Sequence, residues 1–234
     1  MSAYSRDIGA DASWPVAATD RMNRMYRRQR HIYDGTRRYY LLGRDRLIAG
    51  VKPATGASVL EIGCGTGRNL VHAARLYPAA RFFGIDVSTE MLTSAISAVS
   101  RGDLTGQIRV AHGDATAFDP KALFGVPAFD HVMISYSLSM IPEWRGVLQA
   151  AASRLKPGGS LHVVDFGNQE RLPGLARTLL RRWLTMFDVT PRDELERVLS
   201  AMADAAGADL KFERPFRGYA QYAVLTLQSA PKKL

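Results

Sequence analysis

From about residue 57 onward, apolar positions along the chain alternate between two spacings. Runs of Val, Ile, Leu and Phe have the length of β-strands, and between them apolar residues recur at helical spacing. The pattern predicts strands at 57–62, 81–86, 107–111, 129–135 and 160–165, with helices at 68–76, 89–99 and 143–155 and a short segment at 120–124. Alternating strands and helices favour an α/β fold with a parallel, doubly wound sheet.

The last third of the chain breaks this alternation. Two helices are predicted at 172–187 and 191–206, followed by strands at 209–215 and 219–227. Arg217-Gly218 is typical of a hairpin turn, so the final strand should run antiparallel to the others. Lys156-Pro157-Gly158-Gly159 predicts a turn before the fifth strand. The chain should therefore form a seven-stranded, mostly parallel sheet.

The chain before residue 51 has a different composition. Residues 1–18 show no periodicity and predict a flexible tail, whereas 19–50 predict helices rich in Arg and Tyr. Residues 51–230 then form the main domain, and a 47% apolar content is enough for one substantial core.

The charge and the cysteine content limit which classes of function the chain can have. The net charge is +9, and nine arginines between 21 and 46 predict attraction to phosphates of anionic lipid or nucleic acid, unless they form only a solvated face. A single cysteine excludes an internal disulfide, and the five histidines show no metal-ligand spacing, so no metal is expected. No apolar run approaches the ~20 residues of a membrane span, and the expected location is the cytoplasm.

The most specific motif follows the first predicted strand. It has the order E-x-G-x-G-x-G, with Glu61 before Gly63, Gly65 and Gly67. This spacing differs from the G-x-G-x-x-G of dinucleotide sites. It resembles motif I of the class I S-adenosylmethionine-dependent methyltransferases, which implies S-adenosylmethionine as the cofactor and a seven-stranded Rossmann-like fold.

Acidic residues at the next two strand ends support the same site. Asp86 can accept hydrogen bonds from both ribose hydroxyls, although it could instead cap the following helix. Asp114 lies where members of that class place an acid beside the adenine amino group. The expected cofactor-binding residues are Tyr26, Arg38, Glu61, Gly63, Cys64, Gly65, Gly67, Asp86, Val87, Met91, Gly113, Asp114, Ala115, Ser135 and Tyr136.

A narrower resemblance rests on other segments. The chain lacks an Asn/Asp-Pro-Pro-Tyr/Phe box after the fourth strand and has Ser-Tyr-Ser-Leu-Ser-Met-Ile-Pro at 135–142. With Ile-Tyr-Asp-x-x-Arg at 32–37, Leu-Gly-Arg at 42–44 and Val-Val-Asp-Phe at 163–166, it resembles the betaine lipid synthase N-methyltransferases. The resemblance implies stepwise methylation of diacylglyceryl-homoserine to the trimethylated lipid at the inner face of the membrane. The enzyme that makes the homoserine lipid is then a further expected partner.

The chemistry of that reaction suggests the remaining site residues. Aromatic faces attract quaternary ammonium groups, and arginine forks suit carboxylates. We expect Tyr33, Tyr136 and His31 at the catalytic centre, where His31 is either a base or structural. The expected substrate-binding residues are Tyr33, Arg37, Tyr40, Arg44, Met140 and Tyr219. The alternatives are a phosphatidylethanolamine N-methyltransferase or a quinone C-methyltransferase, and less readily an RNA methyltransferase or a non-catalytic cofactor-binding subunit.

The predicted helix at 172–187 is amphipathic. Its leucines, Trp183 and Phe187 share one face, and arginines and threonines share the other. The pattern is equally typical of an interfacial membrane helix and of a helix that packs on the sheet.

Overall fold

The computed structural model describes residues 41–229 of the 234. The helices are α1 Arg44–Val51, α2 Arg68–Leu76, α3 Thr89–Arg101, α4 Pro120–Phe124, α5 Trp144–Ser153, α6 Gly174–Thr185 and α7 Leu195–Ala206. The strands are β1 Ser58–Ile62, β2 Arg81–Asp86, β3 Ile108–His112, β4 Phe129–Ser135, β5 Leu155–Phe166, β6 Asp209–Glu213 and β7 Ala220–Thr226. A short 3₁₀ turn, Leu138–Met140, follows β4.

The strands form one seven-stranded sheet in the order β3-β2-β1-β4-β5-β7-β6. The pairs from β3 to β5 are parallel, and β7 runs antiparallel to both of its neighbours. The predicted Rossmann-like methyltransferase fold with an antiparallel final strand is therefore confirmed. The order reverses between β1 and β4, and in open α/β sheets ligands bind at such a switch point.

Side chains on alternate positions of the strands enter two separate cores. On one face, Phe82 and Val59 pack with α1, α2 and α3. On the other face, Phe83 and Leu60 pack with α4, α5 and α7. Because both faces of β1 are covered, all five of its residues are buried, including the polar Ser58 and Glu61.

Four predicted features were wrong in detail. Residues 156–159 do not form a separate turn but a bulge within β5, since pairing with β4 passes from Leu155 opposite Phe129 to Ser160 opposite His131. The helix predicted from 172 begins at Gly174, and the one predicted from 191 begins at Leu195. The turn before β7 spans Pro215–Gly218 instead of two residues.

The described end of the predicted 19–50 helical segment is α1. Its Leu47 and Ile48 are fully buried in the core on the α2 side of the sheet. Helix α1 therefore packs as part of the domain, near the carboxyl ends of the parallel β-strands.

Candidate functional site

The glycine turn connects β1 to α2 at the switch point of the sheet. Gly63, Gly65 and Gly67 all have left-handed backbones, with φ of 69°, 54° and 74°. A Cβ on Gly63 would lie 2.7 Å from the Cβ of Ser137, whereas a Cβ on Gly65 would meet nothing within 4 Å. The turn thus needs glycine for its conformation, and at Gly65 its backbone faces open space that a ligand can enter.

Asp86, at the end of β2, holds this turn in place. Its Oδ2 accepts a hydrogen bond from Gly65 N–H at 2.8 Å, and its Oδ1 accepts one from Ser88 N–H at 2.9 Å. Ser88, not Asp86, caps α3, because the Ser88 hydroxyl accepts from Met91 N–H. A carboxylate has about four lone-pair sites, so Asp86 can hold the turn and still accept ribose hydroxyls.

Glu61 is a buried acid in the wall of the same site. Its Oε1 accepts from Asn69 Nδ2 at 2.7 Å, and its Oε2 has no hydrogen-bond partner within the described part of the chain. Burial raises the pKa of Glu61 to about 8, although Asn69 and the nearby Arg44 lower it. The site therefore contains an acceptor oxygen that suits a ligand with a hydrogen-bond donor.

A cavity of about 960 Å³ lies over the carboxyl ends of the strands. Its size is at the upper end of the range for ligand pockets, which leaves room for a cofactor and an acceptor group. The predicted residues that line it are Arg44, Glu61, Gly63, Cys64, Gly65, Asp86, Val87, Gly113, Ala115, Ser135, Tyr136 and Met140. Most of the predicted site within residues 41–229 is thus brought together around one space.

Four predicted residues do not line this cavity. Gly67 packs against Ala95 of α3, and Met91 is buried against Met140 and Phe187. Asp114 accepts from both the N–H and the hydroxyl of Thr116, although its neighbours Gly113 and Ala115 do reach the cavity.

The fourth is Tyr219, whose ring packs edge-on against Phe166, with 5.9 Å between ring centroids. The remaining predicted site residues lie outside the described residues: Tyr26, His31, Tyr33, Arg37, Arg38 and Tyr40.

Tyr136 lines the cavity but its hydroxyl is already used. The side chain is 4% exposed, and the hydroxyl donates to the backbone carbonyl of Leu42. Burial, with smaller contributions from Asp165 and Tyr219, raises the pKa of Tyr136 well above its ordinary value. The phenol is therefore neutral near pH 7 and offers a ring wall to the cavity but no base.

Cys64 is likewise unsuited to nucleophilic chemistry. It is buried in the glycine turn, and a Cβ on Gly84 of β2 would come within 2.8 Å of its Sγ. Burial, followed by the charges of Asp86 and Glu61, raises the pKa of its thiol well above the ordinary value. Cys64 is a packed wall residue of the turn.

Sequence reasoning missed the outer part of the cavity, between α2 and α3. Polar and basic side chains from both helices line it: Arg68, Asn69, His72, Arg75, Thr93, Ser94, Ser97 and Arg101. Positions 68, 72 and 75 have the i, i+4, i+7 spacing of a helix face, which is the signal that could have identified them. Asn69 was also missed as the partner of Glu61.

Comparison with known proteins agrees with this geometry. Residues 59–159 match the protein family described as "Methyltransferase domain". The match spans β1 to the bulge of β5 and so contains the glycine turn, Asp86 and the segment after β4. The predicted cofactor, S-adenosylmethionine, is confirmed for this domain.

The match to each curated relative covers only part of that relative's length. The chain is 32% identical over 120 residues to a demethylmenaquinone methyltransferase of Listeria monocytogenes, spanning 51% of this chain and 48% of the relative. It is 30% identical over 161 residues to the O-methyltransferase cnsE of Penicillium expansum, spanning 66% and 56%. The chain thus spans about half the length of the curated relatives it matches.

A solved structure shows the same fold over most of the chain. The phosphoethanolamine N-methyltransferase 2 of Haemonchus contortus, in complex with phosphomonomethylethanolamine and S-adenosylhomocysteine, has a TM-score of 0.69. It covers 93% of this chain and 61% of that chain at 16% identity. This likeness concerns the fold.

The residues of the site fit S-adenosylmethionine. The cofactor carries donors on its ammonium group, ribose and adenine, and Glu61 and Asp86 provide acceptor oxygens. It also carries a carboxylate, and Arg44 is the buried cation beside Glu61 in the cavity wall. The predicted role of Arg44 at the lipid head group stays a prediction.

Proposed function

We propose that this protein is an S-adenosylmethionine-dependent N-methyltransferase that acts on the amino group of a lipid head group. The observation that carries the proposal is the cavity over the glycine turn of a methyltransferase domain, where Gly65 leaves open space beside Glu61 and Asp86. The proposed acceptor is diacylglyceryl-homoserine, methylated in three successive steps, in keeping with the resemblance at 32–44, 135–142 and 163–166.

The acceptor end of the cavity is formed by the segment after β4. Ser135, Ser137, Met140 and Ile141 line it together with Tyr136. Among the described residues of this segment only Tyr136 titrates, and its hydroxyl is neutral and bound to Leu42. Within residues 41–229 the segment therefore offers no general base to an acceptor.

An amine is the acceptor that needs a base least. When bound beside Glu61 and Asp86, S-adenosylmethionine would supply a methyl group to the nitrogen lone pair, and the electron pair of the C–S bond would stay on sulfur. An apolar wall such as Met140 and Ile141 favours the neutral, nucleophilic form of the amine by desolvation. The residues then align donor and acceptor and exclude water.

A quinone C-methyltransferase is the second candidate. The specific observation in its favour is the 32% identity to a demethylmenaquinone methyltransferase over 120 residues. Both candidate acceptors are lipids, but a phenolic ring must lose a proton to react as a carbon nucleophile. That proton would have to be taken by a group outside the segment 135–141.

A competition assay separates the two candidates. Purified full-length protein is incubated with methyl-labelled cofactor and detergent micelles that contain both diacylglyceryl-homoserine and demethylmenaquinol. The proposal predicts mono-, di- and trimethylated homoserine lipid in sequence by mass spectrometry, with the quinol unchanged. Label on the quinol alone would overturn the proposed acceptor and establish the second candidate.

A further inference from the structure

Helix α6 exposes an apolar face. Only Leu184 of this helix is buried, whereas Leu175 is 75% exposed and Leu179 is 60% exposed. Met186, immediately after the helix, is 73% exposed. Positions 175, 179, 182 and 186 follow the i, i+4, i+7, i+11 spacing and so share one side of the helix. Leu175, Leu179 and Met186 are called the α6 patch below.

A second apolar side chain is exposed beside the start of α6. Phe216 is 47% exposed in the turn before β7, and Arg171 N–H donates to the carbonyl of Arg217 at 3.3 Å. Phe216 and Arg217 both have left-handed backbones, with φ of 55° and 59°. Such conformations are strained for residues other than glycine. Phe216 and Arg217 therefore occupy turn positions that glycine or asparagine would adopt with less strain.

Positive charge flanks these apolar side chains. Arg171, Arg182 and Arg217 are exposed, and none of the three forms an ion pair within residues 41–229. Arg181, on another side of α6, instead pairs with Asp193 at 3.2 Å. Apolar side chains flanked by unpaired arginines are complementary to a surface with an apolar interior and anionic head groups.

The end of α6 is connected to the wall of the cavity. Phe187 and Met140 both pack against Met91, and Met140 lines the cavity. Thr190 N–H donates to the carbonyl of Ser139 at 2.9 Å. Arg192 donates to the carbonyls of Leu138 and Ile141 at 2.9 and 2.8 Å. The segment after α6 therefore contacts the same stretch that forms the acceptor end of the cavity.

We infer that the α6 patch, with Phe216 and the three flanking arginines, is a membrane-docking surface for anionic lipid bilayers. Within residues 41–229 no helix is long and apolar enough to cross a bilayer. The inference rests on the proposed function and extends it. The segment after α6 contacts the acceptor end of the cavity, so docking of the α6 patch on a membrane would bring the acceptor end close to a lipid substrate. It does not depend on the identity of the acceptor, since docking needs only the head-group charge and the apolar interior.

Vesicle co-sedimentation of the full-length protein tests this surface. The probes are vesicles of pure phosphatidylcholine and vesicles with about 30 mol% phosphatidylglycerol, which carry a negative surface potential. We expect binding to the anionic vesicles only, weakened as salt rises from about 0.05 to about 0.3 M. Leu175→Glu/Leu179→Glu and Arg171→Glu/Arg182→Glu should each lower the partition coefficient at least tenfold.

A matched control is available on α2. Leu76 is 48% exposed and does not belong to the α6 patch, so Leu76→Glu should bind vesicles like the unmodified protein. Because the patch residues are exposed, the leucine variants should also keep their melting temperature within a few degrees. The vesicles contain no methyl acceptor, so a failure to dock is distinguishable from a failure to methylate.

Three results would overturn the inference. The first is equal vesicle binding by Leu175→Glu/Leu179→Glu and Leu76→Glu. The second is a large loss of melting temperature in the patch variant, which would show that another segment of the chain covers the patch. The third is a dimer of the unmodified protein that the patch substitutions dissociate while vesicle binding is absent, which would assign the patch to a second copy of the chain.

Discussion

Replacing Glu61 with glutamine should raise the stability of the cofactor-free protein and weaken cofactor binding. Glu61 is 1% exposed, and only one of its two oxygens has a partner within the described residues, the Nδ2 of Asn69. Burial raises the pKa of this carboxyl from 4.5 to about 8 in the folded protein. Glutamine keeps the carbonyl that accepts from Asn69 but cannot ionise.

The size of the effect follows from proton linkage. A folded pKa above the unfolded one means that the stability is fully present below pH 4.5 and is lost as the pH rises through 8. At pH 7 the unfolded carboxyl is ionised and the folded one is mostly protonated, which costs roughly 3 kcal/mol at about 1.4 kcal/mol per pKa unit. Glu61→Gln should recover a large part of this cost at pH 7 and almost none near pH 4.5.

Urea unfolding and calorimetric titration together test this reasoning. The difference in unfolding free energy between Glu61→Gln and the unmodified protein is measured at several pH values from about 4.5 to about 8. Affinity for S-adenosylmethionine should fall at least tenfold in the variant, because glutamine keeps its carbonyl toward Asn69 and places an amide NH₂ where Oε2 can accept from the cofactor. Glu143→Gln, the same change at an exposed position, should alter neither quantity by more than about 0.5 kcal/mol.

The result that would refute the reasoning is a pH-independent stability difference, which would show that Glu61 is ionised in the folded protein. Unchanged cofactor affinity would separately remove Glu61 from the cofactor site.

Other residues give predictions with independent measurements. Gly65→Ala places a Cβ in open cavity space at a φ of 54°, so we expect at least tenfold weaker cofactor binding by calorimetry and a loss of about 1 kcal/mol in stability. Tyr136→Phe removes the bond to Leu42 but keeps the ring, so unfolding should show a loss of about 1–2 kcal/mol with the turnover number nearly unchanged; a collapse of turnover at normal cofactor affinity would restore a catalytic role to the hydroxyl. Burial lowers the pKa of His162 from 6.5 to about 4, so this residue's stabilising contribution is present above pH 6.5 and lost as the pH falls through 4. As the pH falls across that interval, the stability of His162→Gln relative to the unmodified protein should thus rise by roughly 3 kcal/mol, and a parallel pair of unfolding profiles would contradict this.

Much of the fold could be predicted from the apolar pattern alone. Strands such as β1 and β2 are covered on both faces, so their interior positions are mostly apolar, with Glu61 of β1 as the exception. The bulge at 156–159 was not predictable, because Pro-Gly-Gly is compatible with a separate turn as well as with an irregular strand. The position of α6 was equally open, since an amphipathic pattern does not reveal whether its apolar face meets a core or remains exposed.

The site was predictable where backbone conformation dictates the residue type. The glycines and Asp86 were found because a left-handed turn and a strand-end acceptor leave a signal at fixed spacing. The partnership of Asn69 with Glu61 and the bond of Tyr136 to Leu42 left none, because they depend on packing between separate elements. Arg44 was predictable in part. Its presence near the cavity was expected from the sequence, but its position beside Glu61 depends on how α1 packs against the sheet.

The attachment point of the transferred methyl group tests the central claim most directly. Purified protein is incubated with carbon-13 methyl-labelled S-adenosylmethionine and total lipids extracted from membranes, and the extracted lipids are examined by carbon-13 NMR. The chemical shift distinguishes methyl carbons on nitrogen, oxygen and carbon, whatever the acceptor lipid is. We predict label in the N-methyl region of a lipid, progressing to a trimethylammonium signal. Label confined to O-methyl or C-methyl positions, or a lipid fraction without label, would contradict the proposed function.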